Sequence, residues 1–575
     1  MPHVGIIGAG ISGLRCASTL LSHGCRVTVL EGRDRVGGRM HQMLLPGTTH
    51  LVDVGPNWIH GTVHNPILDL AARTSTLTHS WAEENHLFDE AGARIAEDEA
   101  EELGAIMWAI VVDAFRYSKA HSDSIGEEVS LRDWFVRRLE ERERDGTLGG
   151  GENAGDGDRR KKLVLQIAEM WGAFVGSGLE TQSLKFFWLE ECIEGENLFC
   201  ASTYQKILAD IAQGPITHPD CTIKFSTRAV RVISKQEDAD AKVSVTTDED
   251  EELSFDEVVV TSPLGWLQQN LDAFVPSLPE RITRAINSIG YGCLEKVYIS
   301  FAQPFWHRSS SPADDAGPTD DVSGFTQWLS PTYSSANPQR WTLQAAELAS
   351  LPGATAHPTL LFYIYGAQSR HISDELARLA PSTAAARADW LVRYLTPYFN
   401  RLPGYAPDAA ACRIVSAHFT DWLADDLAGN GSYSNFQTVV PPSATSSTSS
   451  SSHLDGSRGS NTTTTSSPPQ ALDRDIEALR HGLPERGVWF AGEHTSPFAA
   501  LGTVTGAWWS GEAVGRRIVR AWRGLDAALG PGEAEGVVEA EAITSTGRDE
   551  GAPAAAVLPD KEVNVRGFAD SALER

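Results

Sequence analysis

Positive charge, cysteine and long apolar runs are all scarce in this chain of 575 residues, and each scarcity excludes something. Lys and Arg number 48 against 76 Asp and Glu, giving a net charge of −28 at pH 7. Such a balance repels phosphate backbones and attracts cationic small molecules, so no nucleic-acid partner is expected. The seven cysteines (Cys16, Cys25, Cys192, Cys200, Cys221, Cys293, Cys412) are odd in number, widely spread and free of any CxxC pair. Scattered reduced thiols are expected, not a disulfide frame or a zinc site, and no metal is called for. No stretch of about 18 apolar residues occurs that could cross a membrane. The opening MPHVGIIGAG runs straight into a folded motif where a signal peptide would stand, and Leu573-Glu574-Arg575 is not a peroxisomal address. A cytoplasmic protein with no evident protein partner is the expectation.

What is present reads as globular: 41% hydrophobic and 22% charged residues, with room for about three or four domains. Three segments depart from that composition. Residues 141–162, with Gly clusters and dense charge of both signs, read as a solvated surface loop. Residues 441–469 hold 17 Ser or Thr in 29 positions and read as a disordered insertion. Residues 527–575 carry ten acids and four bases and read as a disordered acidic tail. Elsewhere strand and helix signals alternate. His3 to Ile7, Ser12 to His23 and Arg26 to Leu30 make a βαβ unit. Further strands are predicted at Ala229 to Ser234, Lys242 to Thr247, Glu257 to Thr261, Lys296 to Phe301, Thr359 to Tyr365 and Val488 to Phe490. Helices are predicted over 98–120, 161–175, 201–212, 382–399 and 506–520.

Gly8-Ala9-Gly10-Ile11-Ser12-Gly13 follows the first strand and opens the helix, the context in which GxGxxG binds a dinucleotide. Gly8 suits the tight turn, Gly10 lets a pyrophosphate approach the backbone, and Gly13 lets helix and sheet pack closely. Free amides at the helix start, Ser12 among them, face the phosphates. Glu31 ends the second strand, where a carboxylate accepts the ribose hydroxyls and disfavours the extra phosphate of NADP. Arg33, Gly38 and Arg39, in GRDRVGGR, then set guanidinium groups and flexible backbone beside the cofactor.

The run GAGISGLRCASTLLSHGCRVTVLEGRDRVGGR resembles the flavin-binding N-terminus of the flavin-dependent amine oxidases, polyamine oxidases in particular. Trp489-Phe490-Ala491-Gly492-Glu493-His494-Thr495 with Leu501-Gly502-Thr503-Val504-Thr505-Gly506-Ala507 resembles the family's second flavin segment. Arg228-Ala229-Val230 resembles the strand whose Val backbone meets the adenine. The resemblance implies noncovalent FAD, because the flavin-linking cysteine of monoamine oxidases is missing from GNGSYSN. It places Glu493 at the ribityl or pyrophosphate region, the amide of Val504 near the pyrimidine, and Thr503 and Trp58 at the cofactor. It also implies an α/β fold: a discontinuous Rossmann-type FAD-binding domain (1–80, 215–270, 470–526) interwoven with an α+β substrate domain (81–214, 271–440).

For the reaction, the resemblance implies hydride transfer from the carbon beside an amine nitrogen to flavin N5, with O2 then reduced to H2O2. Lys296, in YGCLEKVYISF before Pro304-Phe305-Trp306, matches the lysine that holds a water at N5. His60, in DVGPNWIHG, matches a residue facing the substrate channel, where it would help keep the reacting nitrogen neutral. Trp422 and Tyr433, the latter in GSYS, match an aromatic wall beside the flavin. Thr503 stands where some relatives have a second cage Tyr, and Thr505 where the family's usual His would be. The acids Glu83, Glu84, Asp89, Glu90, Glu97, Asp98, Glu99, Glu101 and Glu102 read as a solvated helix face. A polyamine or its acetylated form is the favoured substrate. Alternatives are a histone demethylase, another amine or amino-acid oxidase, and a catalytically silent FAD-binding interaction module.

Overall fold

The structure is a computed structural model that describes residues 1–81, 85–149, 155–235, 242–307, 321–379, 383–439 and 471–524. The Ser/Thr-rich stretch 441–469, the tail 527–575, and Glu83 and Glu84 lie outside the described residues.

Short β-branched runs from distant parts of the chain assemble one parallel five-stranded sheet. Its order is Val488–Phe490, Glu257–Val260, His3–Ile7, Arg26–Leu30, Cys221–Lys224. Val4, Ile6, Val27, Val29, Val258 and Val259 are buried, as a parallel sheet covered on both faces demands. The helix Ile11–Ser22 packs against the last helix, Val504–Trp522. A Cβ on Gly511 would lie 2.1 Å from the carbonyl oxygen of Ser12, so only glycine lets these helices approach so closely. Ser12 Oγ then donates to Ala507 O across the same contact at 2.6 Å.

A second sheet of six strands runs Ile414–Phe419, Leu294–Phe301, Thr359–Tyr365, Leu343–Glu347, Phe325–Trp328, Asn85–Phe88. Its pairings are antiparallel except the last. Leu294–Phe301 is buried along nearly its whole length, and its register sets Lys296 opposite Tyr363. A four-stranded sheet (Glu252–Phe255, Val243–Thr247, Ala229–Ile233, Phe274–Val275) completes the main β structure.

The predicted strands occur with ends shifted by no more than two residues. Two helices differ more. The signal over 161–175 resolves into Asp156–Ala168, a 3-10 turn Glu169–Trp171 and the short helix Gly172–Val175, while 201–212 moves to Gln205–Thr217. The last helix starts earlier than predicted, at Val504, because Thr503 caps it by accepting from Gly506 N at 2.9 Å. The loop expected over 141–162 is a correction. Leu131–Arg144 and Asp156–Ala168 are helical at its two ends, and Arg160 is buried, donating to Leu148 O and pairing with Glu102. Most of the charged side chains here are exposed, as expected, while Arg160 is the buried exception that ties the helices together.

All seven cysteines are free. Among the described residues no helix is long and apolar enough to cross a membrane, and no cluster of three His, Cys, Asp or Glu is placed to hold a metal.

Candidate active site

One cavity of about 1740 Å³ runs from the glycine-rich turn to the second sheet. Of the residues singled out from the sequence, Gly8, Gly10, Ser12, Glu31, Arg33, Gly38, Arg39, Trp58, His60, Val230, Lys296, Trp422, Tyr433, Glu493, Thr503 and Val504 all line it. Gly13 does not. It lies beneath, where a Cβ would come 2.0 Å from Gly8 O, so its absent side chain serves packing.

At the cradle end, Gly8 has φ +106°, and its N–H donates to Leu30 O at 2.8 Å. Gly37 N–H donates to Ala9 O at 2.9 Å, joining the two glycine-rich turns. A Cβ on Gly10 would meet nothing within 4 Å, which leaves open space above the first helical turn. No side chain caps that turn, so its N–H groups are available to an anion. The buried Glu31 carboxylate accepts from Ala9 N at 2.6 Å and Arg33 N at 2.9 Å, leaving further lone pairs for hydroxyls. This donor and acceptor set, with an acid at the strand end and open backbone at the turn, fits the adenosine diphosphate part of FAD.

Two charged side chains here are bound within the protein. Arg39 donates to Ser432 O at 2.6 Å and to Glu493 Oε1 at 3.0 Å. Glu493 also accepts from Ser434 N at 3.2 Å and Oγ at 2.5 Å. Burial opposes ionisation of Glu493, but Arg39 and these hydrogen bonds hold its carboxyl below the ordinary range. The sequence suggested that Glu493 reaches the flavin. Its carboxylate lines the cavity and also holds Arg39 and the Ser434 strand, since a buried carboxylate is stabilised by a nearby cation and hydrogen bonds. Thr505, in place of the family's histidine, donates to Asn65 Oδ1 at 3.0 Å.

At the other end, Lys296 is 7% exposed, and its Nζ donates to Gly55 O. Burial pulls its pKa down to about 8, while Asp53 and Glu295 act in the opposite sense. Asp53 is pushed up to about 7 by burial, against hydrogen bonds from Gln42 and the Tyr204 amide. His60 is held below its usual pKa by burial, with Asn197 opposing. Asn197 Oδ1 accepts from Gly61 N at 3.1 Å, which fixes the amide's orientation, so His60 Nδ1–H donates to that oxygen at 3.2 Å. The neutral ring then keeps Nε2 as an acceptor. Tyr433 OH donates to Phe174 O at 2.6 Å, Trp422 Nε1 to Val54 O at 2.9 Å and Trp58 Nε1 to Tyr363 OH at 3.0 Å. Each ring is thereby locked in the cavity wall.

Beyond these rings the wall turns acidic. Glu97, Asp98, Glu101 and Glu102 line it from the helix Glu97–His121, and Gly104, Ala105 and Trp108 continue the same face inward. These acids are exposed, as the sequence suggested, yet the water they face is that of the cavity. Glu190 and Glu196 line it as well. Burial pushes Glu190 up to about 8, with only the Phe436 amide opposing. Sequence reasoning missed Glu190, Asn197 and Tyr363. No local pattern marks them, since each becomes a wall residue only through packing.

A dinucleotide cradle joined by one cavity to a buried lysine and an aromatic wall defines a flavoprotein oxidase of the amine oxidase fold. Residues 11–519 match the sequence profile of the flavin containing amine oxidoreductase family, and the chain belongs to it. "Probable polyamine oxidase 4" of Arabidopsis thaliana is 26% identical over 403 residues, covering 67% of this chain and 69% of that protein. "Polyamine oxidase 3" of Oryza sativa subsp. japonica is 24% identical over 542 residues and 91% of each chain. "Polyamine oxidase 2" of Arabidopsis thaliana is matched at 27% identity over 319 residues, 53% of this chain and 60% of its own length. In fold, the chain resembles a putrescine oxidase bound to putrescine, with a TM-score of 0.58 at 16% identity over 90% of this chain and 99% of that one. The chain is a flavin-containing amine oxidase.

Proposed function

We propose that this oxidase acts on a polyamine or an N-acetylated polyamine, holds FAD without a covalent bond, and uses O2 as acceptor to yield H2O2. The observation that supports this reading is the large cavity, which leads from the dinucleotide cradle past Lys296 and His60 to a wall of carboxylates at Glu97, Asp98, Glu101 and Glu196. A substrate with several positive charges spaced along a chain matches such a wall.

FAD, when bound, supplies the acceptor for the hydride leaving the carbon beside the amine nitrogen. The first-helix amides, Glu31 and the Thr503–Val504 turn would hold it, and the positive end of the last helix would stabilise negative charge near that turn. His60 Nε2 accepts a hydrogen bond from an N–H of the reacting amine and orients it, leaving the lone pair of the deprotonated nitrogen free to assist hydride loss. Lys296, anchored on Gly55 O, keeps its other hydrogens for a water in the cavity. Trp422 and Tyr433 exclude bulk water and offer ring faces to a cationic chain.

Anaerobic mixing with spermine, spermidine, their N-acetyl forms, monoamines and α-amino acids tests the reading. Polyamines or their acetylated forms should bleach the flavin fastest, and acid precipitation should release yellow FAD into the supernatant. Faster bleaching by a monoamine or amino acid would refute the substrate assignment, and flavin retained in the pellet would refute noncovalent binding. His60→Ala should impair amine oxidation far more than FAD retention.

A further inference from the structure

One face of the six-stranded sheet borders the large cavity and carries a row of polar side chains. The register sets Lys296, Tyr363, Gln344 and Gln327 side by side on four successive strands. Directly opposed residues of antiparallel strands present their side chains to the same face. At about 4.8 Å per strand, the backbone at Gln344 stands about 10 Å from that at Lys296. Lys296, Tyr363 and Gln344 all line the cavity. The members of the row differ in what they have left to bind. Gln327 Nε2 donates to Asn85 Oδ1 at 3.3 Å. Tyr363 OH accepts from Trp58 Nε1 at 3.0 Å, and its own hydrogen has no acceptor among the described residues. Gln344 is 5% exposed, yet its carboxamide hydrogen-bonds to no described residue. A buried amide is costly unless something meets it. A substrate that displaces water from this spot therefore has to supply the hydrogen bonds itself.

Around this amide the wall is aromatic and uncharged. Phe325, two residues from Gln327 on its strand, is a diagonal neighbour of Gln344. Trp58 stacks on Phe325 with centroids 6.0 Å apart, and Trp81 meets it edge-on at 5.5 Å. No carboxylate stands in the row. Glu347, on the same strand as Gln344, alternates to the other face, where it accepts from Ala349 N at 2.8 Å and Ser350 N at 3.1 Å. The free donors decide what fits. Gln344 presents an NH2 and a carbonyl, and Tyr363 presents an O–H. An ammonium group carries donors alone, so those hydrogens would face its own. A carboxamide satisfies both sides: its C=O accepts from the Gln344 NH2 or the Tyr363 O–H, its N–H donates to Gln344 Oε1, and its acyl carbons lie against the rings.

Resting on the reading of this cavity as a polyamine site, we propose that Gln344, with Tyr363 beside it, is a specificity-determining residue that binds the N-acyl end of the substrate. The enzyme then prefers an amine ending in a neutral amide to the same amine ending in a free ammonium group, and the acidic wall is left for the remaining charges.

Anaerobic stopped-flow reduction of the FAD-loaded enzyme by N1-acetylspermine and by spermine tests it. The quantity read is the limiting rate of flavin reduction over Kd, taken as the ratio of acetylated to free amine. In the parent this ratio should exceed one. Gln344→Leu should lower it about tenfold, with the change carried by Kd, as the loss of one or two neutral hydrogen bonds implies. Gln344→Glu, nearly isosteric, should lower it about a hundredfold, because an ionised carboxylate accepts from an ammonium group and cannot donate to a carbonyl. Flavin content and thermal unfolding of each variant check that fold and cofactor are retained, and the isosteric variant carries the test should the apolar one misfold. A parental ratio of one or below, or a ratio that neither substitution moves, would overturn recognition by Gln344 while the polyamine reading stands. A monoamine that reduces the parent's flavin faster than both polyamines would overturn that reading and this inference with it.

Discussion

Alanine placed at Gly10 and at Gly13, one at a time, separates space kept for a ligand from space consumed by packing. Gly10 has φ −73° and ψ −177°, backbone that alanine adopts without strain, and its added Cβ meets nothing within 4 Å. In the flavin-free protein Gly10→Ala should therefore be neutral or stabilising by about 0.4–1 kcal/mol, through a less disordered unfolded chain. The same methyl projects into the cavity where a pyrophosphate would meet the first-turn amides. FAD affinity should fall at least about tenfold, or 1.4 kcal/mol. Gly13→Ala does the opposite. Its Cβ would sit 2.0 Å from Gly8 O and 3.1 Å from Gly8 C, and Gly8 cannot retreat because its N–H is tied to Leu30 O at 2.8 Å. A clash with backbone belongs in the upper part of the roughly 1–3 kcal/mol range for over-packed sites. Thermal unfolding of flavin-free protein and titration with FAD read the two quantities separately. Parental FAD affinity in Gly10→Ala, or parental stability in Gly13→Ala, would refute the reasoning.

Lys296→Met should keep the flavin but slow amine turnover or reoxidation, each tenfold loss amounting to about 1.4 kcal/mol of barrier; stopped-flow measurement of both half-reactions checks this. Glu190 is neutral below about 8 and anionic above it, so KM for a polycation should fall as pH rises through that value. Glu190→Gln should remove that limb of the KM profile and leave FAD binding intact. Glu97→Gln with Glu101→Gln should raise KM for a polyamine and weaken its salt dependence, since steering by exposed charge is screened within about 8 Å at physiological ionic strength. A KM and salt slope equal to those of the parent would return these acids to a purely solvating role.

How much of this was legible in the sequence follows from how far apart the cooperating residues lie. The GxGxxG turn, the acid at Glu31 and the helix after Gly10 were readable because turn geometry, strand alternation and helix starts depend on neighbours in the chain. The same holds for the strand around Lys296, whose flanking YGCLEKVYISF is a continuous buried run. The resemblance carried by those segments was enough to point to the amine oxidases, and nearly every residue it named lines the one cavity. What packing alone decided were the partners. Glu493 meets Arg39 across 454 positions, His60 meets Asn197 across 137, and Trp58 meets Tyr363 across 305. Charge density pointed rightly to an exposed stretch at 141–162 but misled on its conformation, because charged helix ends and charged loops have the same composition, and it hid the buried pair of Arg160 with Glu102. It was silent on which face of the helix Glu97–His121 turns to the cavity. A sequence records which side chains can ionise, hydrogen-bond or stack, whereas burial and the distance to a partner arise only when the sheets close around one another. Those two quantities set the lowered pKa of Lys296, the raised pKa of Glu190 and the neutral state of His60.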